Sequence, residues 1–213
     1  MATRRISLEQ DFYNKSINDL FYSYLLCLAT YHPVEERLYL SEANYTKNRK
    51  DIRYICRWAD NKTLKRNRDK LIELGLVQES KIKVNGEEVE CLTFPFDKNG
   101  KYQVIDKDML EYLVNTRGAH AIQIYTYLLN KYLWKTKSNE VYEFSAVEIA
   151  KAMGYSDKSV MIIKHINILL DSFNREGVIS IERGYQECIN PTTGEVIPKP
   201  VIYLDNVREK TFK

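Results

Sequence analysis

Two short segments in opposite halves of the chain are built alike. Leu74-Gly75-Leu76-Val77 and Glu176-Gly177-Val178-Ile179 each close a stretch of helical periodicity and open a stretch of aliphatic and β-branched residues. A glycine just past a helix supplies the left-handed backbone that ends it, and the residues after it favour strand. The helices that these segments terminate also begin alike, at Asn61-Lys62-Thr63-Leu64 and Asp157-Lys158-Ser159-Val160. A repeat of whole domains points to duplication and not to a solenoid. At 213 residues the chain has room for two small domains, each with a modest core.

In the first half, Ile17, Leu20, Phe21, Tyr24, Leu25, Leu28 and Tyr31 form the apolar stripe of an amphipathic helix that His32-Pro33 would end. A short helix is expected over Asp51 to Trp58, with Ile52, Ile55 and Cys56 on one face. Another, capped by Asp60 or Asn61, runs to about Leu74. Strand alternation on either side of Asn85-Gly86 then predicts a β-hairpin, because both central positions of the tight turn need positive φ.

The second half follows the same order. Asp106 caps a helix through Leu113, a longer helix runs from Ala119 to Trp134, Ser145 caps a short helix that ends at Gly154, and Asp157 begins one that runs to Arg175. Val178 to Glu182 and Val201 to Leu204 supply two strands joined by a long loop through Asn190-Pro191-Thr192-Thr193-Gly194. Three helices followed by a hairpin in the first half, and four helices followed by two strands in the second, predict an α+β fold, mainly α with small β-hairpin wings: two tandem winged-helix domains. The expected boundaries are 1–98 for the first domain with its N-terminal arm, 99–104 for a linker, 105–205 for the second domain and 206–213 for a basic C-terminal tail.

Charge is distributed unevenly over this plan. Between Asn44 and Lys70 ten cations stand against three carboxylates, a net of +7; with +3 for the whole chain, the remainder sums to −4. A local basic segment in a nearly neutral protein is the electrostatic footprint of nucleic-acid binding. With Leu64 facing the core, Asn67, Leu71 and Leu74 turn inward, while Lys62, Lys65, Arg66 and Lys70 point away. Such a face can enter a major groove, neutralise phosphates and bring Arg66 to a guanine edge. Thr63 and Asn67 add neutral donors, and Lys47, Arg49 and Lys50 precede the reader. Lys81 and Lys83 on the first hairpin either meet flanking backbone or protect an edge strand.

The second candidate reader differs in kind. Ile163, Ile166, Leu170 and Phe173 turn inward, and Met161, Lys164, Ile168 and Asp171 lie towards the other side. Lys158, Lys164 and His165 leave room for DNA contacts, while Met161 and Ile168 either pack within the domain or form a partner surface. Double-stranded DNA is thus the expected partner. A homodimer, or a replication or host protein, is a further candidate.

Catalytic and metal patterns are sparse. His32, His120 and His165 make no closely spaced pair, and there is no phosphate-binding glycine loop and no nucleophile elbow. Glu79-Ser80-Lys81 is an isolated acidic-x-Lys triplet, too common to argue for a nuclease. The chain is expected to be non-enzymatic, without cofactor or metal. Cys27, Cys56, Cys91 and Cys188 are far apart and fit free thiols. With no export signal and no apolar run of membrane-spanning length, the expected location is cytoplasmic.

Val104-Ile105-Asp106-Lys107-Asp108-Met109-Leu110, Phe144-Ser145-Ala146-Val147-Glu148-Ile149-Ala150-Lys151-Ala152-Met153-Gly154-Tyr155 and the matched helices after Asn61 and Asp157 give the chain a resemblance. In architecture, over roughly residues 15 to 205, it resembles the winged-helix replication initiators of plasmids and phages of Gram-positive bacteria. The resemblance implies binding to repeated origin sites, with one domain assisting dimerisation or helicase recruitment. In tandem initiators the second domain is often the stronger reader; here the more basic helix is in the first.

Overall fold

The computed structural model describes residues 5–9, 19–95, 102–138 and 142–208. By its internal contacts the chain divides between Ile122 and Gln123. The fold is mixed α+β, with small antiparallel sheets.

The first unit opens with β1 (Arg5–Glu9), followed by α1 (Asp19–Leu28). This helix buries Phe21, Leu25 and Leu26 but is shorter than its stripe suggests. Tyr31 is not its last inward residue: it lies, exposed, in β2 (Thr30–His32), which pairs with β3 (Arg37–Ser41). Thr30 and Tyr31 favour strand, and a cross-strand partner decides the matter. Ile17 lies outside the described residues.

Three helices follow. Ser41 caps α2 (Glu42–Lys47), a helix the polar sequence does not announce. Its buried Tyr45 is its only anchor among hydrophilic neighbours. Next comes α3 (Arg49–Cys56), two residues earlier than expected and ended by Arg57 in left-handed geometry. Ile52 and Cys56 point to the core, and burial pushes the Cys56 thiol up to about 12. Then α4 (Asn61–Glu73) is capped by Asp60, whose Oδ1 accepts from the Thr63 N–H at 2.7 Å. That bond holds the Asp60 carboxyl below its ordinary range. Leu64 and Leu71 are buried as expected, but Leu74, at the end of the helix, is exposed. The helical phase breaks there, since Gly75 follows at φ +69° and turns the chain.

The hairpin is β4 (Gln78–Val84) and β5 (Glu87–Phe94), turning through Asn85 and Gly86 at φ +52° and +88°. Its sheet has the order β2-β3-β5-β4, so β3 joins the hairpin to the first helices and β4 is an edge. Beyond it, residues 102–104 of the expected linker belong to β6 (Tyr102–Asp106), paired with β1, and residues 99–101 lie outside the described ones. Asp106 caps α5 (Lys107–Thr116) through the Met109 N–H at 3.2 Å. This helix packs on α1, with Lys107 Nζ donating to the Ala29 carbonyl at 3.1 Å, and so belongs to the first unit.

The division of the chain falls within α6 (Ala119–Ser138). The second unit continues with β7 (Tyr142–Phe144), the Ser145-capped α7 (Ala146–Ala152), α8 (Val160–Arg175), β8 (Ile179–Ile189) and β9 (Val196–Val207). Ser159, not Asp157, precedes the α8 helix; Asp157 sits in the turn before it, 3.3 Å from Lys151 Nζ. Tyr125, Ile149, Ile166, Leu170, Phe173 and Leu204 fill the core. The two strands are much longer than expected, and the loop between them is confined to 190–195. Cross-strand pairing runs without interruption from Ile181–Leu204 to Ile189–Val196, so the backbone ladder carries residues with no core to bury into. Of the expected tail, residues 206 and 207 close β9, and 209–213 lie outside the described residues. No helix among the described residues is long and apolar enough to cross a membrane.

Candidate nucleic-acid interface

The basic segment folds into three consecutive helices. On α4 the inward positions Leu64 and Leu71 leave Lys62, Lys65, Arg66 and Lys70 exposed, as their spacing implies. These four line one shallow surface with Asp69 and Glu73. The cations therefore dominate the N-terminal half of the helix, and the last two turns are mixed. That distribution suits a groove-reading helix, whose N-terminal residues reach the base edges.

A cleft lined by Arg49, Asn61, Lys65, Arg68 and Asp69 brings Arg49, at the start of α3, to the same place as Lys65. The Arg49 guanidinium lies 5.6 Å from the centre of the Tyr45 ring. Lys47 and Lys50 are exposed nearby in sequence, on α2 and α3. Thr63 is half-buried, and Asn67 spends its amide on its own helix, donating to the Thr63 carbonyl at 2.8 Å. Such a back-bond leaves Asn67 a weaker donor to a ligand than the spacing suggested.

Arg68 is set apart from its basic neighbours. Its guanidinium donates to Glu42 of α2 and, at 2.7 Å, to Glu79 of β4, and it stacks 4.9 Å from the centre of the Tyr45 ring. With the side chain only 15% exposed, it ties three elements together and is not available to a ligand. The same ion pair engages Glu79, the carboxylate of the acidic-x-Lys triplet. Among the described residues no group of three or more His, Cys, Asp or Glu side chains is placed to hold a metal. Replacing Arg68 by Gln is expected to lower the stability of the chain by about 2 kcal/mol, the usual worth of a hydrogen-bonded charge. The salt dependence of any DNA binding should stay unchanged. Urea denaturation beside a salt titration separates the two effects.

On the hairpin, Lys81 lies opposite Glu90 and Lys83 opposite Glu88, and Lys81 Nζ is 3.7 Å from Glu88. Carboxylates thus match both lysines on the outer face, and Glu87 adds another charge near the turn. This arrangement fits protection of the β4 edge better than contact with a polyanion. His32 links the hairpin to the β2–β3 turn: its Nε2 meets the Lys83 carbonyl at 2.9 Å, and its Nδ1 accepts from the Glu35 N–H at 3.2 Å.

In the second unit, Met161, Lys164, His165 and Ile168 share one outward face of α8, at i, i+3, i+4 and i+7. Met161 is 76% and Ile168 56% exposed, so neither packs within the domain. Lys158 is exposed in the turn before this helix. Asp171 is engaged by Arg183 of β8 at 2.7 Å.

One residue of the basic surface escaped the charge count. Tyr54 is exposed on the outer side of α3, one turn after Lys50 and three residues before Arg57. The signal was available: if Ile52 and Cys56 face inward, Tyr54 between them must face out. An aromatic ring among cations can stack on a base or donate its hydroxyl to a phosphate. Compared with protein-family models, with characterised proteins and with solved structures, the chain matches none.

Proposed function

We propose that the chain is a sequence-specific double-stranded DNA-binding protein of winged-helix type, acting as the replication initiator of a plasmid or phage. The observation that carries the binding is the N-terminal half of α4, a capped helix with Lys62, Lys65 and Arg66 exposed together. Its setting supports the reading: a helix, a strand, further helices and a hairpin follow in the order of a winged helix, and the order recurs around α8. In this reading α4 enters the major groove, Arg49 and Lys50 hold the adjacent backbone, and the hairpin contributes little. The protein would act as a binder and not as an enzyme. The initiator role rests on the architectural resemblance; a repressor would use the same site.

The exposed Met161 and Ile168 favour a second reading for the second unit, as a surface for a replication or host protein. The test is a fluorescence-anisotropy titration against pooled random duplexes at two salt concentrations, with sequencing of the retained fraction. Four to six phosphate contacts predict a slope of log affinity on log salt of about −4 to −5. Enrichment of one motif supports specific reading, and its repetition in an origin or its placement in a promoter separates initiator from repressor. No retention at low salt would transfer the proposal to the α8 surface.

A further inference from the structure

The most exposed large apolar side chain among the described residues is an aromatic ring set between cations. Tyr54 of α3 is 86% exposed. With Ile52 and Cys56 buried, helical spacing places Lys50 one turn before it and Arg57 one turn after it on the outer side, and both are exposed. Among the described residues neither cation lies over the ring, and neither side chain has an ion-pair or hydrogen-bonded partner. The helix does not call for the ring, since an aromatic residue loses rotamer freedom there. Nor does the turn call for an arginine: Arg57 ends α3 at φ +56°, where glycine or asparagine is the easier residue.

This ring does not look towards the reading helix. Arg49 is the residue of α3 that shares a cleft with Lys65 of α4, and at about 100° per residue Tyr54 lies roughly 140° round the helix from it. A duplex also offers such a ring little, because its bases present edges to the grooves and keep their faces stacked on one another. We infer that the outer side of α3 binds an unpaired nucleic-acid strand, with a base stacked on Tyr54 and the phosphates on either side of it held by Lys50 and Arg57. About 10 Å of helix axis separates the two cations, so their long side chains can bracket one nucleotide. A stacking ring with cations along the backbone holds single strands without reading their sequence. Asp51, the carboxylate of α3, is turned to the other flank, where after burial it is the main charge raising the Tyr24 phenol of α1.

The inference stands beside duplex reading by α4 and does not rest on it, and its test uses strands that cannot pair. The full chain is titrated by fluorescence anisotropy with labelled oligothymidylate of about 12 nucleotides, and with oligouridylate of the same length. Tighter binding of one assigns the strand to DNA or RNA, and equal binding assigns it to the stacking and phosphate chemistry that both share. Tyr54→Ala should weaken binding about 5- to 150-fold, the range of one lost base stack, with an unchanged circular dichroism spectrum. Tyr54→Phe should bind like the unaltered chain, since stacking needs the ring and not the hydroxyl. Lys50, which the duplex reading also uses, is left in place throughout.

A strand of abasic sites checks the stacking independently, because it keeps the phosphates and lacks the bases. On that strand Tyr54→Ala should make no difference. Arg57→Asn, which suits the same left-handed backbone, should make the salt slope on oligothymidylate shallower by about 0.7, the share of one phosphate contact on a single strand. A chain that fails on duplexes yet holds the unpaired strand through Tyr54 would defeat the reading of α4 and support this one. No binding of either unpaired strand at low salt, binding indifferent to Tyr54→Ala, or an equal loss with Tyr54→Phe would overturn the inference.

Discussion

Reversing Lys65 and Arg66 to Glu together is expected to abolish specific DNA retention while leaving the fold intact. Each cation removed from a phosphate forfeits the release of about one counterion, which at 0.15 M salt is worth roughly fivefold in affinity. Two lost contacts give about 30-fold, and the repulsion of two new carboxylates raises this towards 1,000-fold. The salt slope should become shallower by about 1.8. Both side chains are exposed, and neither shares the clamp formed by Arg68, so the melting temperature should hardly move. Lys70→Glu should cost less, because Asp69 and Glu73 border the same surface. If the Lys65 and Arg66 reversal left affinity unchanged, α4 would not be the reader, and the exposed cations of α2 and α3 would be the next to reverse.

Phe173→Ala is expected to be the most damaging single substitution in the second unit. The ring is fully buried on α8, among a core that includes Ile166, Leu170 and Leu204. Truncation of such a ring costs about 3–5 kcal/mol, from lost transfer energy and an unfilled cavity. A small domain holds about 5–15 kcal/mol in total, so much of its stability would go. At roughly 4–8 °C per kcal/mol for a domain of this size, the transition assigned to this unit should fall by about 15–30 °C in a calorimetric scan. Phe173→Leu should recover most of that loss. A shift under about 5 °C for the alanine variant would mean that the α8 core closes around the cavity more readily than packed interiors do.

The local devices of the fold were written in the sequence. Asp60, Asp106 and Ser145 cap helices because short polar side chains reach the unpaired N–H groups of a first turn. Gly75 and Gly177 end helices, and Asn85-Gly86 turns a hairpin, because their backbones tolerate positive φ. Helical periodicity alone put Lys62, Lys65, Arg66 and Lys70 on one side of α4 and Met161 and Ile168 on the outside of α8.

What depended on partners distant in sequence was not legible. Tyr31 left a helical stripe for a strand because β3 was there to pair with it, and β8 and β9 extended far past the core because each supplied the other's ladder. In the basic segment, charge counting treated Arg68 as one more cation. Only the approach of Glu42 from α2 and Glu79 from β4 made it a structural clamp, just as Glu88 and Glu90 neutralised the lysines of the first hairpin. Composition counts charges and periodicity assigns faces. Which charges remain available to a ligand is set by the neighbours that packing brings against them, and those neighbours come from elsewhere in the chain.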